Sequence, residues 1–77
     1  MIKAGLDIGN SKISCVVADY KGPDNINILS IMSIPTTNVK KNIILNFDNL
    51  FNQIKFLITE TEKQSQTKLN SINLNFS

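Results

Sequence analysis

The run from Ile2 to Ile8 constrains the fold more than any other feature of the chain. It is nearly all apolar, with Asp7 near its end, and reads as a strand buried on both faces. Such a strand needs cover on two sides. The rest of the sequence offers one amphipathic helix, enough for one side only. At 77 residues the chain is also marginal on burial. These two facts together lead us to expect residues 1–77 to be the N-terminal part of a larger domain, with no second domain present.

Composition narrows the class. Hydrophobic residues make up 42% and charged residues 18%, ordinary for a globular protein and too apolar for disorder. The net charge is +2, with the lysines spread along the chain and no arginine, so nucleic acid is not an expected partner. There is no histidine, which excludes a histidine base or metal ligand. A single cysteine, Cys15, excludes an internal disulfide and a cysteine-based zinc site. Its place within a strand reads as a small buried apolar residue rather than a reactive thiol. No apolar run approaches the roughly 18 residues of a spanning helix, and Met1-Ile2-Lys3-Ala4 lacks the layout of a signal peptide, so a cytoplasmic chain is expected.

Further strands are expected over residues 13–19, rich in β-branched side chains, and over residues 26–34, ended by Pro35. Short turns make the three strands an antiparallel meander. Residues 35–42 are polar, carry Lys40-Lys41, and read as an exposed connection; Ile43-Ile44-Leu45 reads as a short extended piece. Phe47, Leu50, Phe51, Ile54, Leu57 and Ile58 then recur at spacings of three and four, the apolar face of a helix. Asn46 is placed to cap its start, Asp48 and Lys63 suit its two poles, and it should fade over residues 64–67. Glu60 and Glu62 read as solvated surface. Residues 71–76 alternate, with Ile72, Leu74 and Phe76 on one face, and predict a final strand with one buried face. The expected order is β-β-β-(β)-α-β, an α/β fold.

Chemistry concentrates in Gly5-Leu6-Asp7-Ile8-Gly9-Asn10-Ser11-Lys12, a turn between two strands. A tight turn directs successive backbone N–H groups into a concavity that suits an anion. Gly9 lets phosphate oxygens approach the backbone, Asn10 and Ser11 add short polar groups, and Lys12 a positive charge. Asp7 would meet the magnesium of a bound phosphate through water. The plainer alternative is a hairpin in which Gly9-Asn10 adopts positive φ and Asp7 caps the turn.

The whole chain resembles the N-terminal segment of the FtsA family of actin-like bacterial cell-division proteins. The turn motif looks like that family's opening strand and first phosphate loop. The segment Val39-Lys40-Lys41-Asn42-Ile43-Ile44-Leu45-Asn46-Phe47-Asp48 follows a family stretch that chaperones and sugar kinases with the same loop would lack. Thr59-Glu60-Thr61-Glu62-Lys63 matches the helix end, and residues 69–77 the closing strand. Asn10 stands where the family commonly has Thr or Ser, and Asn42 where it usually has Gly.

The resemblance implies the start of an actin/Hsp70-like ATPase domain. In the full-length parent it implies ATP and magnesium as cofactors, with Gly9, Asn10, Ser11 and Lys12 on the phosphates and Asp7 toward the metal. It implies FtsZ and other division proteins as partners, self-polymerisation, and peripheral attachment to the inner face of the membrane at the division site, through parts outside these residues. It implies a nucleotide-binding scaffold with no catalytic residue here, not an enzyme. The isolated chain should bind neither ATP nor membrane. Two alternatives stay open: another ATPase or sugar kinase of the superfamily, or a free-standing α+β binding module.

Overall fold

The computed structural model describes residues 1–76, so Ser77, the end of the matched closing strand, lies outside the described residues. The elements are β1 (Ile2–Ile8), β2 (Lys12–Gly22), β3 (Asn25–Pro35), β4 (Val39–Lys40), β5 (Ile43–Ile44), α1 (Phe47–Ser65) and β6 (Asn73–Phe76). One sheet has the order β3-β2-β1-β6, with β1, β2 and β3 an antiparallel meander as expected. The alternating final segment forms β6 and pairs parallel to β1, as a crossover through a helix allows. β4 and β5 make a separate two-stranded ladder.

The strands extend further than composition suggests. Gly22 pairs with Asn25, so Pro23-Asp24 alone joins β2 to β3, and residues 20–22 belong to the ladder rather than to a loop. A register shift between Val17 and Ala18 bends the pair.

Core side chains come from one face of the sheet. Leu6, Ile8, Ile13 and Cys15 pack with Leu50 and Leu57 of α1 and with Val39, and Met32, Ile34, Ile54 and Ile72 close around them. Leu57 and Ile13 are fully buried, each stabilising the fold by about 1.5–3 kcal/mol relative to exposure. Asn46 caps α1, its side chain accepting from the Asn49 N–H at 3.0 Å. The helix ends after Ser65, where Gln66 turns left-handed (φ 55°) and the Thr67 N–H reaches back to the Glu62 carbonyl.

The opposite face of β1 is left open, as a single helix covers one side only. Ala4, Leu6 and Ile8 are buried, but Lys3, Gly5 and Asp7 are not, because none of the described residues packs over that side. A side chain added at Gly5 would meet nothing within 4 Å. Ile31 sits on the same open side, 61% exposed.

The helix corrects an expectation. Leu50, Leu57 and Thr61 form its buried line, while Phe47 and Phe51 are mostly exposed. The cause is position: α1 lies over β2 and β3, so the two phenylalanines overhang the sheet toward β6. Leu74 and Phe76 face the same side and stay exposed, bordering an apolar groove of about 120 Å³ with Ile8, Ile44 and Ile54. The predicted face of β6 is therefore correct in direction and uncovered in fact.

Residues 35–42 are not simply an exposed connection either. Val39 joins the core, and buried Thr36 donates to the Gln53 side chain at 2.7 Å, which also accepts from Asn38 at 2.8 Å. These bonds clamp the segment onto α1.

Candidate phosphate-binding turn

Gly9, Asn10 and Ser11 form the connection between β1 and β2. The Gly9 N–H donates to the Lys12 carbonyl at 3.0 Å, closing the turn, and so is not directed at a ligand. Neither Gly9 nor Asn10 has positive φ, which overturns the expectation for that pair. The Ser11 carbonyl is taken by the Thr36 N–H at 2.9 Å. Asn10, Ser11 and Lys12 are exposed at the tip. A turn whose Ser11 and Lys12 carbonyls are occupied and that presents an amide, a hydroxyl and an ammonium group is chemically suited to an oxyanion.

Left-handed residues occur elsewhere. Lys41 and Asn42, at φ 51° and 63°, form the two-residue turn between β4 and β5. Positive φ at both central positions suits the right-handed twist of a short hairpin. This turn lies against the first one: the Asn42 N–H donates to the Asn10 Oδ1 at 2.8 Å. Sequence reasoning missed the contact because it joins residues 32 positions apart. The polar run Lys40-Lys41-Asn42 between Val39 and Ile43-Ile44 was the available signal for the hairpin itself.

Asp7 occupies β1 two residues before Gly9, on the open face. Asn75 donates to its Oδ1 at 3.1 Å, so β6 helps hold the carboxylate. Ser14, opposite Asp7 in the ladder, meets Ser33 of β3 with the hydroxyl oxygens 2.8 Å apart. A polar row of Asn75, Asp7, Ser14 and Ser33 thus crosses all four strands next to the turn. Asp7 is half-buried and engaged in this row.

Among the described residues no three histidine, cysteine or acidic side chains converge. One carboxylate beside a turn of this chemistry still fits magnesium, which usually keeps several waters and is carried largely by the phosphates it accompanies. The residues present would therefore fit a magnesium–phosphate group, with Asp7 the carboxylate available to the metal.

The remaining candidates are structural. Cys15 is fully buried, and burial pushes its thiol pKa up, offset in part by a hydrogen bond with Thr61. Thr61, also buried, donates to the Leu57 carbonyl at 2.7 Å. Glu62 is not merely solvated: its carboxylate accepts the Leu69 N–H at 2.8 Å and fastens the chain after the helix.

No family model matches the chain. Among curated proteins it is 29% identical over 70 residues to the cell division protein FtsA of Streptococcus pneumoniae. It is 25% identical over 67 residues to the FtsA proteins of Neisseria meningitidis and Pseudomonas aeruginosa. These matches take in 87–91% of the chain but only 15–16% of each relative. Among solved structures it superimposes on the ROK hexokinase of Thermus thermophilus with a TM-score of 0.74 and 22% identity, covering 99% of this chain and 22% of that one. A PPX-GPPA enzyme of Aquifex aeolicus gives a TM-score of 0.66 at 20% identity, over 99% of this chain and 26% of that one. The fold is that of the first part of an actin/Hsp70-like domain, the chain spanning 22–26% of these solved structures, and the sequence is similar to FtsA as an N-terminal FtsA segment would be.

Proposed function

We propose that this chain is the opening segment of an FtsA-like cell-division protein and supplies the first phosphate loop of its ATP site. Asn10, Ser11 and Lys12 would hold phosphate from the turn, Gly9 would allow close approach, and Asp7 would reach the accompanying magnesium through water. The parent would be a nucleotide-binding scaffold rather than an enzyme acting on a separate substrate. It would join FtsZ filaments to the inner face of the membrane during septum formation, and self-assemble, through parts outside residues 1–77. The observation that carries this reading is the match to three FtsA proteins over 87–91% of the chain. Fold alone would serve a sugar kinase equally well.

Among the described residues no helix is long and apolar enough to cross a membrane, which is compatible with peripheral attachment. The isolated segment would bind neither ATP nor membrane, since one turn supplies too few contacts for a whole nucleotide. The test is in cells. A fluorescent fusion of the polypeptide encoded by the complete reading frame is expected to gather with FtsZ at the division site. A diffuse signal together with hexose phosphorylation would overturn the assignment in favour of a sugar kinase.

A further inference from the structure

The Asn42–Asn10 contact decides which way a side-chain amide faces. A backbone N–H only donates, so the atom of Asn10 that meets Asn42 at 2.8 Å must be the amide oxygen. The acceptor half of Asn10 is thereby used, and its Nδ2 group, with two donor hydrogens, is left on an exposed residue with no other protein partner among the described residues. Asn42 makes this bond from a left-handed turn in which Lys41 also sits at φ 51°. That conformation costs a non-glycine residue on the order of 1 kcal/mol, less for Asn. An unrestrained amide could present oxygen or nitrogen to a ligand. A serine or threonine hydroxyl in its place could likewise donate or accept. Asn10 restrained by Asn42 can only donate.

We propose that the Lys41–Asn42 turn is the positioning element of the anion site. By donating to the Asn10 oxygen it keeps the Asn10 Nδ2–H₂ available to the ligand. This rests on the phosphate-turn reading above and deepens it. The ligand class is a phosphate or pyrophosphate oxyanion, met by a donor whose orientation is set before binding. Asn42 is a positioning residue acting through its backbone, and Asn10 is the group that touches the ligand. Lys12, at the start of β2, and Lys41, in the second turn, add positive charge near Asn10 and Asn42 in the sequence.

Two substitutions separate the parts. Asn10→Asp keeps an acceptor for the Asn42 N–H but replaces the donor by a negative charge, whereas Asn10→Ala removes both. Residue 10 is exposed and outside the core, so both variants are expected to keep the wild-type far-UV spectrum. The experiment is NMR on the polypeptide encoded by the complete reading frame, labelled with nitrogen-15 at asparagine, serine and lysine, with inorganic pyrophosphate at millimolar concentration as the probe. In Asn10→Ala the Asn42 amide should exchange at least about tenfold faster than wild type, and in Asn10→Asp it should stay close to wild type. Pyrophosphate should shift the wild-type Asn10 side-chain NH₂ and the backbone amides of residues 10–12, and Asn10→Asp should lose these shifts. Unchanged Asn42 exchange in Asn10→Ala would overturn the proposal. Shifts of the turn amides without the Asn10 NH₂ would overturn it while leaving the phosphate turn standing. No shift anywhere in the wild-type turn would overturn both.

Discussion

The two faces of the sheet have met opposite fates. On the helix side, Leu6, Ile8, Ile13 and Cys15 are sealed under Leu50 and Leu57. On the other side the polar row from Asn75 to Ser33 and apolar residues such as Ile31 lie open. The same pairing ladder carries both, so hydrogen bonding does not distinguish them. What differs is cover. Stability belongs to the covered face, and the residues suited to ligand chemistry belong to the open face and its adjoining turn. A strand whose sequence demands cover on both sides has received it on one.

The sharpest way to break this comparison is to truncate one aliphatic side chain on each face. Leu57→Ala should cost about 2–5 kcal/mol, enough to unfold much of a small domain, as urea denaturation would read. Ile31→Ala, a comparable deletion on the open face, should cost less than about 0.5 kcal/mol. Equal losses would mean that the open face is covered in solution, by self-association for example.

An intermediate effect belongs to the start of α1. Asn46→Ala should destabilise by about 1 kcal/mol, because its side chain satisfies an otherwise unpaired N–H at the helix start, and a thermal melt would show it.

The smallest effect sharpens the comparison through pH. Burial raises the Cys15 pKa, so the folded state favours the neutral thiol. Its contribution is fully present below the unfolded thiol value, about 8.5, and is lost as pH rises through the folded value. Melting temperatures of wild type and Cys15→Ala should therefore converge above about pH 9 if the wild type is the more stable at neutral pH. A constant gap through alkaline pH would show that the thiol is not sealed in.

Much of the covered face was legible in the sequence. Leu50 and Leu57 lie on the helical period, Asn46 is a good capping residue, and the alternation ending at Phe76 marked β6 and its facing correctly. Periodicity cannot say where a helix runs off the sheet, however, and Phe47 and Phe51 share the stripe of Leu50 while overhanging the strands. Thr61 was missed because its hydroxyl reads as polar. Its position four residues beyond Leu57 was the signal, since a threonine there can return its proton to a backbone carbonyl. The place of the candidate site, between the first two strands, was evident from Asp7 through Lys12. Its internal geometry was not. Gly9-Asn10 suggested positive φ, yet the left-handed pair formed at Lys41-Asn42, and only folding brings that turn against Asn10.

The open face and its turn carry the central claim, that these residues form the phosphate end of an FtsA-like ATP site. The direct measurement is a calorimetric ATP titration, with and without magnesium, of the polypeptide encoded by the complete reading frame and of its Asp7→Ala variant. The account predicts magnesium-dependent binding that Asp7→Ala weakens at least about tenfold, the equivalent of about 1.4 kcal/mol. Binding indifferent to both magnesium and Asp7, or no binding of ATP at all, would contradict it.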